Sequence, residues 1–310
     1  MSLKSTLEIY ELLDSAYVDG NTVCAFFSEQ GAMTKMSRLC GEKGYTDMVE
    51  IIVPGTDGRT KGGNAPTIEV AGSLGGIGGR PTICGIVSDA DGAVVALACA
   101  QKVIKMAQKG DKLPGDLVVR TTICTNAPTM PHHPVPFMDS YLDFVTLKKH
   151  IIDQTADAIV ITETSRGNRV ANYPVFGITP TVKEGWILKV SEDAIDVMER
   201  VTQEPAKVIP ITMQDITPVT NGIHHLNGLG EVPDGTVAPC FGVGLTSPLP
   251  LSGAAPGVTN VSSLEIAVRY VVEVVKGFLM GTFSFYDREE FVSLVSMYGD
   301  MTRLYKGGEK

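Results

Sequence analysis

The sequence predicts an α/β protein: a doubly wound, mostly parallel sheet with helices on both faces, built by residues 1–310 as one domain with loop insertions. Three observations carry this expectation. Residues 82–87 and 117–124 read as buried strands on either side of an alanine- and valine-rich helix over 93–109. Strand, helix and strand within about forty residues form a βαβ unit, which implies parallel pairing. Further apolar strands at 157–163, 208–212 and 237–244 alternate with helical stretches at 141–152 and 191–202. Neither an internal repeat nor a low-complexity linker divides the chain, which favours a single wound sheet over two independent halves.

The elements follow in order. The opening SLKSTLEIYELLDSAYV has Leu7, Tyr10, Leu13 and Tyr17 at helical spacing and predicts an amphipathic helix. A short strand at 49–53 runs into a Pro-Gly turn. Residues 62–80, GGNAPTIEVAGSLGGIGGR, are rich in glycine, which permits positive φ and close backbone approach, so they read as a hairpin rim or a ligand-facing loop. Gly110 stops the helix over 93–109. Near the end, Ser262 and Glu265 have capping-box spacing ahead of an apolar helix reaching Met280, and Asp287 opens the last helix. The aliphatic helix over 264–280 packs on the sheet or offers a face for a homo-oligomer.

Composition narrows the partners. Charged residues make up 20% and the net charge is −9, with aromatic residues at 6%. Stacking platforms in basic grooves need the opposite, so nucleic acid and anionic membranes are not expected partners. No stretch approaches the length of a membrane span. The six cysteines at 24, 40, 84, 99, 124 and 240 never stand as Cys-x-x-Cys, and the expectation is a reduced, cytoplasmic protein.

In an open parallel sheet, ligands bind at the carboxyl ends of the strands. Four polar loops leave the expected strands there: Asp89 and Asp91 in the first, His132 and His133 in the second, Glu163 with Arg166, Asn168 and Arg169 in the third, and Asp215 with His224 and His225 in the fourth. Asp91 before a helix is explained as an N-cap. Asp89 beside it adds repulsion that a cation or proton would relieve. A carboxylate ending an apolar strand, as Glu163 does, points to a ligand. The two arginines suit a substrate carboxylate or phosphate, or simply a neighbouring acid.

At GIVSDADGAVVALA, TTICTNAPTMPHHPVPFM, TVKEGWILKVSED and PITMQDITPVTNGIHHLN the chain resembles domain of unknown function 1177, a family of bacterial and archaeal proteins, over nearly its whole length. The order of strand, acidic turn, alanine-rich helix, strand and acidic strand end also resembles the core of zinc exopeptidases with two co-catalytic metals. That second resemblance implies a divalent metal, zinc or manganese, held by Asp89, Asp91, Glu163 and His132. It implies Asp89, Asp91, His132 and His133 as the catalytic group, with Arg166, Asn168, Arg169 and Asp215 against a small-molecule or short-peptide ligand. The paired glutamates of such enzymes are missing after the second strand, where Thr125 to Pro128 stand, and their terminal His is replaced by the stretch Gly257, Val258, Thr259 and Asn260.

Three functions therefore compete. One is a metal-dependent hydrolase of a small amide or peptide-like substrate, in which a metal-bound water attacks the carbonyl. Another is a non-catalytic binding protein on the same fold. The last is a phosphatase, since IVSDADG resembles the Asp-x-Asp-Gly motif of haloacid-dehalogenase enzymes, with Asp89 as nucleophile and Asp91 as acid. A dinucleotide site is set aside, because LGGIGG has no helix after it.

Overall fold

The computed structural model describes residues 1–72, 85–131, 133, 136–164, 167–210, 237–253 and 257–302. Their elements run α1 (Ser2–Leu13), α2 (Gly20–Ser28), β1 (Met33–Cys40), β2 (Tyr45–Val53), β3 (Thr67–Gly72), α3 (Asp91–Gln108), β4 (Asp116–Ile123), β5 (Thr129–Met130) and β6 (Phe137–Met138). Then follow α4 (Phe144–Ile151), β7 (Ala158–Thr164), β8 (Phe176–Ile178), β9 (Val182–Lys183), β10 (Trp186–Ile187), α5 (Glu192–Thr202), β11 (Cys240–Leu245), α6 (Val261–Leu279) and α7 (Arg288–Tyr298). Nine strands share one sheet in the order β1-β2-β4-β3-β7-β11-β9-β10, with β8 also on β11.

The centre of the sheet is parallel and its margins are antiparallel. Strands β4, β3, β7 and β11 run together, whereas β1, β2, β8 and β9 oppose their neighbours. Buried on both faces, β3 and β7 carry no exposed residue, as central parallel strands require. One face, through Val49, Ile51, Ile68, Val70, Val119 and Val160, joins a core shared with α1, α3 and α6. The other, through Met48, Ala71, Ile159 and Ile161, receives Leu147 and Ile151 of α4.

Helix α3 is surrounded because its side chains are small. Ala93, Ala96, Ala98 and Ala100 are fully buried, and the helix packs on the sheet, α1 and α6 together. Gly110, at φ +93°, ends it as the sequence implies.

Several expectations shift. The strand that precedes α3 in the βαβ unit is β3, inside the glycine-rich stretch, and not 82–87. Residues 82–84 lie outside the described set, Gly85 to Val87 form no strand, and Ser88–Ala90 is a 3-10 turn. The glycine-rich flanks of TIEVAG and an acid at its centre hid β3, since Glu69 is fully buried there. The buried stripe of α1 is Ser5, Thr6, Ile9 and Leu13, while Leu7 and Tyr17 are exposed. Small polar residues let α1 approach α3 and α6, which apolar periodicity alone does not reveal. Ser262 is not the cap of α6: Asn260 is, accepting from the amides of Ser262 and Ser263 at 3.1 and 3.2 Å. Asp287 caps α7 as expected. At 208–212, Val208 makes a lone bridge to Ile178, the Ile209 amide donates to the Ile178 carbonyl at 2.7 Å, and residues 211–212 lie outside the described residues. No described helix is long and apolar enough to cross a membrane.

Candidate active site

The start of α3 lies on the carboxyl end of β7. A Cβ at Gly92 would fall 2.5 Å from the carbonyl oxygen of Thr162 and 3.2 Å from the Cα of Glu163, so only glycine allows this approach. Two hydroxyls fasten the contact: Thr162 Oγ1 donates to the Gly92 carbonyl at 2.8 Å, and Thr164 Oγ1 to the Ser88 carbonyl at 2.8 Å. The strand end and the acidic turn are thereby locked side by side. Asp89, Asp91 and Glu163 are 6%, 2% and 4% exposed.

The loop between β11 and α6 closes the site from the third side. The Asp89 amide donates to the Gly253 carbonyl at 2.9 Å, and Ser88 Oγ donates to the same oxygen at 3.2 Å. Thr259 Oγ1 donates to Asp91 Oδ1 at 2.7 Å. Asp91 is thus not the N-cap of α3. It is the first helical residue, Ala90 caps without a side-chain bond, and the carboxylate turns to Thr259. Thr259 falls in the stretch that replaces the terminal His of the exopeptidase pattern, the one sequence signal that marked it; Gly253 left none.

Beside Asp89 lies a small cavity lined by Thr46, Thr122, Cys124, Met138, Asp139 and Leu147 among others. Burial pushes the Cys124 thiol above its ordinary range, so it lines the cavity as a protonated, weakly reactive group. A larger cleft, of about 720 Å³, is elsewhere. It is lined by Asp111, which follows α3, and by Gly277 and Met280 at the end of α6, and so sits at the opposite end of α3 from Asp91.

The remaining expected site residues are distributed as follows. His133 is exposed on the connection between β5 and β6. Asn168 Oδ1 accepts from the amides of Val170 and Ala171, both at 2.7 Å, and so shapes its own loop. Arg169 is exposed on that loop, which Thr246 fastens beside the end of β11 by donating to the Ala171 carbonyl at 3.1 Å. His132, Arg166, Asp215, His224 and His225 lie outside the described residues. Among the described residues, no three His, Cys, Asp or Glu side chains are grouped to enclose a metal ion. Asp89, Asp91 and Glu163 all stand near the end of β7, but their side chains do not form such a group.

A parallel-centred sheet with α3 pinned at the end of β7 by two threonine hydroxyls defines an α/β fold that a solved aminopeptidase shares. An M17 aminopeptidase from Trypanosoma brucei shares it at a TM-score of 0.50 and 12% identity, over 87% of this chain and 62% of that one. The chain therefore spans less than two thirds of the trypanosomal enzyme, and the likeness establishes the fold alone. Weaker matches are a bottromycin maturation enzyme solved with manganese (TM-score 0.49, 11% identity, 88% of this chain and 70% of that one) and the T. brucei leucyl aminopeptidase with actinonin (0.49, 12%, 87% and 62%). Residues 37–308 match the family described as protein of unknown function DUF1177, and the chain belongs to that family. No curated protein matches it in sequence.

Proposed function

We propose that the protein is a divalent-metal-dependent hydrolase of a small amide or peptide-like substrate, working where α3 meets the end of β7. The observation that carries this reading is the collection of three nearly buried carboxylates, Asp89, Asp91 and Glu163, at one strand end. Carboxylates buried near one another can share a cation or a proton. Carboxylates are hard oxygen donors, suited to manganese and accepted by zinc. The fold shared with an aminopeptidase supports a peptide-type substrate.

A bound ion would supply an acidified water and a polarised carbonyl. Asp89, Asp91 and Glu163 would hold it, with His132 as the imidazole donor or proton carrier. The chain's own residues set the frame: Gly253 fixes the backbone of Asp89, and Thr259 donates to one oxygen of Asp91. Arg166, Arg169, Asn168 and Asp215 remain the proposed substrate contacts, and His133 the second candidate for proton transfer. A non-catalytic ligand-binding role is the second reading, favoured by the bond that already engages Asp91. The phosphatase reading loses its frame, because Gly85 to Val87 form no strand ahead of Asp89. The test is a screen of aminoacyl and dipeptide amides with manganese or zinc added. Hydrolysis by the wild type that Glu163→Gln abolishes supports the proposal, and no turnover of any substrate with either metal contradicts it.

A further inference from the structure

Glu69 projects from the middle of β3 onto the sheet face covered by α4, and it is fully buried. Its Oε2 accepts from the Asp153 amide at 2.7 Å, while its Oε1 has no hydrogen-bond partner. The charged groups around it are Arg120 on β4, Glu50 on β2 and Asp153 on the segment joining α4 to β7. Asp157, at the end of that segment, is turned to Arg59 and the Thr67 amide. Arg120 is already committed: its Nε donates to Glu50 Oε2 at 2.7 Å, and its Nη2 lies 3.6 Å from Asp153 Oδ2. One guanidinium thus faces three carboxyl groups. Two of them satisfy it in place, and an ionised Glu69 would leave a net negative charge sealed from water.

The segment covering Glu69 is a connection between elements and not part of the sheet. Its polar fastenings include the Glu69 bond, Arg59 on Thr155 and Asp157, and Asp157 paired with Thr67, while Ile152 and Ala156 enter the core on that face. Helix α4 leads directly into it, and Leu147 of α4 lines the small cavity beside Asp89.

We propose that Glu69 is a proton-operated latch: protonated, it stays sealed beneath the α4–β7 segment, and on losing its proton its partnerless Oε1 draws in water, which opens that segment and loosens α4 beside the cavity. Burial supports the same direction, pushing the Glu69 carboxyl up to about 8 despite the opposing pull of Arg120 and of the Asp153 amide. The latch does not depend on a metal at the strand end.

Hydrogen exchange tests it on the full chain. After correction for intrinsic rates, protection of the 152–157 amides should fall about tenfold or more between neutral and alkaline pH while α3 amides hold. Glu69→Gln should abolish that difference. The same pH dependence in the variant, or a fall spread equally over α3, would overturn the proposal. Should the variant not fold, infrared spectroscopy of the wild type decides. A buried protonated carboxylic acid band should be present at acid pH and vanish in step with the loss of protection, and its absence at acid pH would overturn the latch.

Discussion

Replacing Gly92 by alanine probes the contact on which the site is built. The added Cβ would stand 2.5 Å from the Thr162 carbonyl oxygen and 3.1 Å from its carbon. Reaching an ordinary contact of 3.4 Å asks for a retreat of about 0.9 Å by backbone on one side or the other. Neither side yields easily, since β7 is fully buried and paired on both edges and α3 is enclosed by the sheet, α1 and α6. Overpacking of this kind costs roughly 1–3 kcal/mol, and lengthening the Thr162–Gly92 bond adds about 1. The better helix propensity of alanine returns about 1. A net loss of about 2 kcal/mol is expected, or roughly 5 °C in Tm, read by urea and thermal unfolding. Gly110→Ala is the control, with open space around it and a positive φ, and should cost about 1 kcal/mol from strain alone. If Gly92→Ala unfolds at or above the wild-type midpoint, α3 does not rest on β7 as described.

Other outcomes follow from single contacts. Asp47 is 1% exposed and accepts from the Gly20 amide at 3.0 Å and from Arg38 at 2.7 and 3.0 Å, so Asp47→Ala should lose about 2–3 kcal/mol of unfolding free energy. Asn260→Ala removes the cap of α6 and should cost about 1 kcal/mol by the same assay. Glu69 holds its proton more tightly when folded, about 8 against an ordinary 4.5. The stability it contributes is therefore complete below about pH 4.5 and lost as pH rises towards 8, by up to about 4 kcal/mol between pH 5 and 8. Denaturant midpoints across that window should show the decline in the wild type and a flatter line in Glu69→Gln. Burial pushes the Cys99 thiol well above its ordinary value, whereas Cys40 is exposed. A thiol reagent should label Cys40 in the native protein and spare Cys99 until unfolding; early labelling of Cys99 would contradict its place in the core.

The fold was legible where side-chain pattern and burial agree. The apolar runs of β4 and β7, the alanine-rich α3 and the glycine at 110 state their roles in the sequence itself. Strand β3 was not legible because Glu69 and its glycine surroundings look like a loop, and only the pairing with β4 and β7 on both edges makes them a central strand. Asp89, Asp91 and Glu163 could be singled out because acids at strand and helix ends are costly without a purpose. Their fastening by Gly253 and Thr259 could not, since those contacts span more than 160 residues of sequence and depend on how β11 enters the sheet. The misreading of Asp91 as a cap has the same origin: the hydroxyl that draws it away comes from the far end of the chain.

The central claim is that the strand-end acids bind a divalent cation, and calorimetric titration of the chelator-treated full chain with manganese and with zinc tests it most directly. The account predicts saturable binding of at least one of these ions that Asp89→Asn and Glu163→Gln each abolish while unfolding midpoints stay near wild type. No binding of either ion, or binding that both variants retain, would contradict it.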